Sequence, residues 1–292
     1  MAVLHRLNYL NPVYTYRHRR NVKRRVDALT KPLREKAARF GIGFNHNDRF
    51  MLSLKDSKIG QPAFVIGNGP SLCIADLEKL KDYLTFGANK IYLAFAESSF
   101  RPSYYFVEDN LVLQQNWQQI NALRDVPKFH PKKGLEWAPR INSSYYYDFY
   151  WEDPKSPSFP SFGTNPVCGF YWGSTVIYSM IQFAFYMGCN PIILIGVDFS
   201  FDLPKTPAKG IELKSEGEKN HFHPDYRKPG EKWNIPNLDI QLKTFQKVAA
   251  WASMNGVQVF NATRGGKLEV FDRIDLDTFL QMHLNTKPDE KL

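Results

Sequence analysis

The run Gln61-Pro62-Ala63-Phe64-Val65-Ile66-Gly67-Asn68-Gly69-Pro70-Ser71-Leu72 decides the fold. An unbroken apolar stretch as short as Ala63 to Ile66, closed by glycine, reads as a strand buried on both faces. Ile74 to Tyr83 reads as the helix that follows. A strand that turns through glycine into a helix is the opening unit of a parallel α/β sheet. Glycine has no Cβ and tolerates positive φ, so Gly67-Asn68-Gly69 lets the backbone approach a ligand closely. The helix start presents free N–H groups to an anion, and Asn68 and Ser71 add neutral donors. The turn is neither G-x-G-x-x-G, since Leu72 takes the last glycine's place, nor a P-loop, since no Gly-Lys-Ser/Thr follows. A tight structural turn is the alternative.

Downstream, short apolar runs alternate with helical stretches. Ile91 to Phe95 and Tyr104 to Val107 read as the next strands, Pro191 to Ile195 as a further buried strand, and Val257 to Phe260 as the last. Helices are expected from near Ser174 and from Leu238 to Met254. The aromatic and proline-rich stretch 127–166 has no clean period and reads as an excursion or lid. The main α/β domain is thus expected over 61–282, with a polar tail over 283–292.

Residues 1–60 differ in texture. The formal net charge of +9 is concentrated there, in Arg17, Arg19, Arg20, Lys23, Arg24 and Arg25, then Lys31, Arg34 and Lys36. A helix over 22–40, stopping at Gly41, places Val26, Leu29, Leu33 and Ala37 on one stripe opposite a basic face. Such a segment can hold an anionic surface, lipid or nucleic acid, or dock as an ordinary solvated helix. No apolar stretch is long enough to span a bilayer and no secretory signal is evident, so a cytoplasmic protein is expected. Three cysteines without CxxC spacing support neither a disulfide framework nor a structural zinc.

Candidate chemistry collects at the ends of the expected strands. Gly173-Ser174-Thr175 opens a helix, able to cap itself or to offer amides to a phosphate. Gly196-Val197-Asp198-Phe199 follows the most apolar strand, where ligand crevices open in parallel sheets. Asn220-His221-Phe222-His223-Pro224-Asp225-Tyr226 offers two histidines, as a general base, as metal ligands, or simply in a solvated basic loop. Asn261 to Leu268 places Arg264 and Lys267 on a glycine turn suited to phosphate or carboxylate.

The order Gly-Asn-Gly-Pro-Ser-Leu, Asn89, Ser174-Thr175, Gly-x-Asp-Phe and a later histidine resembles the bacterial sialyltransferases of glycosyltransferase family 42. The stretch from Gln61 to Leu280 is similar to the MptE-like family, which includes archaeal 6-hydroxymethylpterin diphosphokinases and the Maf proteins associated with flagellin glycosylation. The resemblance implies a Rossmann-like, mostly parallel sheet flanked by helices, sialyltransferase-like and of variant GT-A type.

It also implies that Gly67, Asn68, Gly69, Ser71, Asn89, Gly173, Ser174, Thr175 and Gly196 bind the nucleotide. Asp198 would complete the cytidine and ribose pocket. His223, with His221 as alternative, would be the base in an inverting transfer of an acidic sugar, sialic acid-like nonulosonate or Kdo, from a CMP-sugar. Two departures stand out. Glu108-Asp109-Asn110 replaces the family's second Asn, so Asp109 stands at the ribose contact and a carboxylate able to hold Mg²⁺ appears. The paired tyrosines that contact the donor phosphate have no clean match, and Tyr226, Arg227, Arg264 or Lys267 would take their place.

The expected partners are the nucleotide sugar and a glycan or lipid-linked glycan, at the inner face of the membrane through the basic segment. No nucleic acid is among them, and a homo-oligomer is compatible with the sequence. No resident cofactor or metal is required. The alternative is an Mg-ATP-dependent diphosphokinase with Glu108, Asp109 and Asp198 as metal carboxylates. A non-catalytic nucleotide binder is a third class.

Overall fold

In a computed structural model, the structure describes residues 26, 28–136, 141–205 and 212–284. The chain divides into two units, Met1–Leu52 and Ser53–Leu292. In the first, a helix over residues 28–39 (α1) ends before Gly41, whose φ of +77° suits a residue without Cβ. Helix α2 (His46–Ser53) follows, and its Asp48 takes both contacts of the Arg34 Nε, at 3.1 and 3.0 Å. Arg17 to Arg25 lie outside the described residues. No described helix is long and apolar enough to cross a membrane.

The second unit is built on an eight-stranded sheet in the order β12-β11-β8-β1-β2-β3-β4-β5. Its strands are β1 (Ala63–Ile66), β2 (Leu84–Ala88), β3 (Tyr104–Phe106), β4 (Lys128–Pro131), β5 (Ser144–Tyr147), β8 (Ile192–Ile195), β11 (Val259–Asn261) and β12 (Asp272–Arg273). Every pairing among them is parallel. Two ribbons stand apart, β6 (Phe149–Tyr150) with β7 (Phe170–Tyr171), and β9 (Glu212–Lys214) with β10 (Lys232–Asn234). The residues of β1, β2 and β8 are buried throughout, as strands covered on both faces must be.

Helices α3 (Ile74–Lys79), α4 (Asn110–Ala122), α5 (Val176–Tyr186), α6 (Leu238–Met254) and α7 (Leu276–Leu284) supply the cover. One core gathers Phe64, Ile66, Leu77, Tyr105, Ile120 and Phe279. Another is aromatic: Phe183 of α5 meets Phe106, Phe129 and Phe170 at centroid distances of 5.3, 4.7 and 5.8 Å. Aromatic edges and faces packed this way contribute beyond their buried area.

The structure departs from the sequence reading at two places. Ile91 to Phe95 is not a strand. Asn89, at φ +52°, turns the chain out of the sheet, and Asn89–Ala96 is a 3-10 segment with Ile91 and Ala94 buried three apart. The strand is the preceding Leu84-Thr85-Phe86-Gly87-Ala88, whose threonine and glycine hide its apolar character. The stretch 127–166 is also more than an excursion, since β4 and β5 extend the central sheet at its far edge.

Candidate functional site

From β1 the chain adds strands outward to β5, then returns to lay β8, β11 and β12 on the other side of β1. The order therefore reverses between β1 and β8, the place beyond the carboxyl ends of the strands where parallel sheets receive ligands. Gly67 follows β1 and Gly196 follows β8, and their backbones touch. A Cβ on Gly67 would lie 2.2 Å from the Gly196 carbonyl oxygen, and one on Gly69 would lie 1.8 Å from Asp198 Oδ2. The neighbour that demands these glycines is the adjacent loop of the protein, not a ligand.

Asp198 locks the two loops together. Its carboxylate accepts from Ser71 N at 3.2 Å and Ser71 Oγ at 2.8 Å. Burial raises its pKa above the ordinary carboxylate range, and the two Ser71 hydrogen bonds offset part of that shift. The third loop joins through the backbone: Lys267 N–H donates to Asp198 O at 2.8 Å, and Val197 N–H donates to Thr263 Oγ1 at 3.1 Å.

Asn68 ties this corner to β2 and to the histidine loop. Its Nδ2 donates to Ala88 O at 3.0 Å, and its carbonyl accepts from Phe222 N–H at 3.1 Å. Asn89 comes after β2, not before a strand, and its carbonyl accepts from Tyr105 OH at 2.6 Å. The side-chain oxygens of both asparagines are buried and have no hydrogen-bond donor among the described residues.

The two histidines differ in kind. His223 caps the 3-10 turn Pro224–Tyr226, its Nδ1 accepting from Asp225 N–H at 3.1 Å. That bond leaves the proton of the neutral ring on Nε2, which lies 3.7 Å from Glu97 Oε1, so neither nitrogen is free as a base. His221 lies flat on Tyr226, with centroids 3.8 Å apart and rings within 5° of parallel. Burial, then the charges of Arg227 and Lys90, hold its pKa well below the ordinary imidazole value. Neither of its ring nitrogens is hydrogen-bonded to a described residue.

Other expected site residues are drawn into the scaffold. Asp109 caps α4, accepting from Leu111 N at 2.7 Å and Val112 N at 3.1 Å, and Asn234 Nδ2 holds its other oxygen at 2.9 Å. Thr175 caps α5 through a bond from Ile177 N at 3.3 Å. Gly173 O and Ser174 O accept from Thr244 Oγ1 and Gln241 Nε2 of α6, and Ser174 adopts φ +61°. Arg264 is paired with Asp76 of α3, and the Lys267 side chain is exposed.

Sequence reading missed Lys90, which is buried and pairs with Glu231 at 3.1 Å, and Trp233, which sits on β10. It named Glu108 only as a metal carboxylate. The structure instead places Glu108 on Ser179 Oγ at 2.6 Å, and burial pushes its pKa up to about 7. No signal of spacing could have paired residues so distant in the chain.

Glu108, Asp109 and Asp198 thus each face a different partner. Among the described residues no three His, Cys, Asp or Glu side chains are grouped to hold a metal ion. The set does not fit Mg²⁺, which asks for carboxylate oxygens converging on one point.

No curated protein matches the chain. Among solved structures it is similar to the Maf glycosyltransferase from Magnetospirillum magneticum AMB-1, with 14% identity over 84% of this chain and a TM-score of 0.47. The chain spans only 42% of that protein's length. It is similar to the sialyltransferase CstII from Campylobacter jejuni, solved with the substrate analogue cytidine-5'-monophosphate, at 12% identity over 74% of this chain and 85% of that one, TM-score 0.41. A mammalian sialyltransferase shares 12% identity over 76% of this chain and 79% of that one, TM-score 0.33. The family model described as 6-hydroxymethylpterin diphosphokinase MptE-like matches residues 42–203, more than half of the sequence. The chain belongs to the MptE-like family.

Proposed function

We propose that the protein transfers an acidic sugar, a sialic acid-like nonulosonate or Kdo, from a CMP-sugar to a glycan or lipid-linked glycan, with inversion. The observation that carries this reading is the pair of donorless side-chain oxygens on Asn68 and Asn89, at the carboxyl ends of neighbouring strands beside the switch point. A buried acceptor left unpaired costs about 1–3 kcal/mol, so two in one corner mark where a ligand supplies O–H or N–H groups. A nucleoside offers both, as ribose hydroxyls and an exocyclic amine. The choice of CMP rests on the order of motifs in the sequence.

In the transfer step the acceptor hydroxyl gives its proton to a ring nitrogen of His221. Its oxygen bonds to the anomeric carbon from the face opposite the leaving group, and the bond from that carbon to the phosphate oxygen breaks, releasing CMP. His221 suits the role because its surroundings keep the ring neutral near pH 7. His223, the residue preferred from sequence, has its Nδ1 lone pair engaged by Asp225 N–H.

The family's description favours a second reading, an Mg-ATP-dependent diphosphokinase. Against it, the three carboxylates that would hold the metal are engaged separately. Thermal unfolding with CMP, CDP, UDP, GDP or ATP plus Mg²⁺ separates the readings, since a ligand at about 100 times its Kd stabilises the fold by about 2.7 kcal/mol. CMP is expected to raise the midpoint most, and less so in Asn68→Ala. A shift with ATP and Mg²⁺ but none with CMP would overturn the transferase reading.

A further inference from the structure

The site holds two more unpaired groups, and these are donors. The Arg227 guanidinium stacks over the Trp233 indole, its carbon 3.9 Å from the ring centroid. Arg227 Nη1 and Trp233 Nε1 are both buried, and neither has an acceptor among the described residues. The carboxylates around Arg227 are engaged elsewhere. Asp109 caps α4 and holds Asn234, Glu231 takes Lys90, and Glu218 accepts from Ser215 Oγ and Glu216 N. Burying a guanidinium without pairing its N–H groups is costly, so an arrangement that leaves two donors open in one stack is built for an acceptor from outside the chain.

The position fits the chemistry. Arg227 follows Tyr226 directly, and Tyr226 carries the His221 ring on its face and lies beside Asn89. The open donors therefore adjoin the base, and the open acceptors adjoin the nucleoside corner. A planar guanidinium is matched to paired oxygens, as in phosphate or carboxylate, and a stacked indole N–H adds a neutral donor beside it. Of the residues considered for the donor's anionic group, Arg264 is spoken for by Asp76 and Arg227 is not.

We propose that Arg227 and Trp233 form a site for a phosphate or carboxylate of the ligand held by Asn68 and Asn89. The assignment rests on the nucleotide reading above. The test measures affinities of cytidine, CMP and CMP-sialic acid in the wild type, Arg227→Gln and Trp233→Phe. A charge-assisted pair is worth about 1.5–3 kcal/mol, hence about tenfold or more in affinity. A loss of that size for CMP, with cytidine unchanged, identifies the phosphate as the group bound. CMP unchanged, with the gain from the sugar acid lost, identifies the carboxylate.

Affinities within about twofold of wild type for all three ligands in both variants would overturn the proposal. Should Arg227→Gln fail to fold, Trp233→Phe, which keeps the stack and removes only the N–H, decides alone. If the wild type binds none of the three, the nucleotide reading has failed and the anion site is read separately, from the Trp233 indole N–H resonance during titration with inorganic pyrophosphate. A shift in wild type that is absent in Arg227→Gln upholds the site, and no shift refutes it.

Discussion

Two residues of the same type, two positions apart, have been given different work by their hydrogen bonds. His223 holds a turn through Nδ1, whereas His221 lies flat on Tyr226 with neither ring nitrogen hydrogen-bonded to a described residue. His221→Asn is therefore expected to lower turnover by about 10² or more with donor affinity little changed, and His223→Ala to leave turnover within several-fold. Because the pKa of His221 is depressed, the base form predominates above the ordinary imidazole value, so turnover should be flat from about pH 7 upward and fall only on the acid side. Loss of turnover in His223→Ala with retention in His221→Asn would reverse the assignment. Glu108 makes the opposite case, a carboxyl raised to about 7 by burial. Between its ordinary 4.5 and about 7 the folded protein keeps a proton the unfolded chain releases, so stability falls as pH rises through that window. Glu108→Gln cannot ionise and should stabilise the fold at about pH 8 by on the order of 2 kcal/mol, with little effect near pH 4. Urea unfolding at both pH values checks this, and an equal effect at both would mean the buried proton is not there.

At the scale of elements, the strand-to-helix turn matters through what it touches. Its glycines let the β1 and β8 loops close on each other, and Ser71 and Asp198 fasten them. Gly69→Ala places a methyl on the Asp198 carboxylate and is expected to cost about 1–3 kcal/mol in the ligand-free protein. Calorimetry without ligand is the measurement. An unchanged midpoint, together with lost nucleotide binding, would return the turn to the role of clearing space for a ligand. Elements whose apolar pattern is continuous were legible: Ala63 to Ile66 and Leu238 to Met254 fall where their patterns place them. Where glycine, threonine or proline interrupts the pattern, as in β2 and β4, the strand is set by its neighbours in the sheet.

At the scale of the molecule, the basic segment and the α/β unit answer to different forces. On α1 and just before it, Leu29, Leu33 and Val26 expose 81%, 62% and 51% of their surface, so the apolar stripe read from sequence is bare except at the half-buried Ala37. Beside a run of arginines, a bare apolar stripe suits the interface of an anionic membrane. The full chain is expected to sediment with anionic vesicles at low salt and to be released as ionic strength passes the physiological range, where the screening length is about 8 Å. Glutamate substitutions at Arg19, Arg20, Arg24 and Arg25 should abolish that binding. Retention by the substituted chain would remove lipid as the partner.

The sequence by itself determined the parallel α/β class, the first strand and its turn, and the family, because buried strands and glycine turns are local patterns that the chain writes in order. It also marked which loops would carry polar chemistry. The tertiary structure alone decided how those residues are spent. Asp109, Thr175 and Arg264 went to caps and ion pairs, Asp198 to Ser71, and the two asparagine oxygens and the Arg227–Trp233 donors were left without a partner among the described residues. A side chain's hydrogen-bond partner depends on what the fold brings within about 3 Å, and here the partners come from strands and loops far apart in sequence.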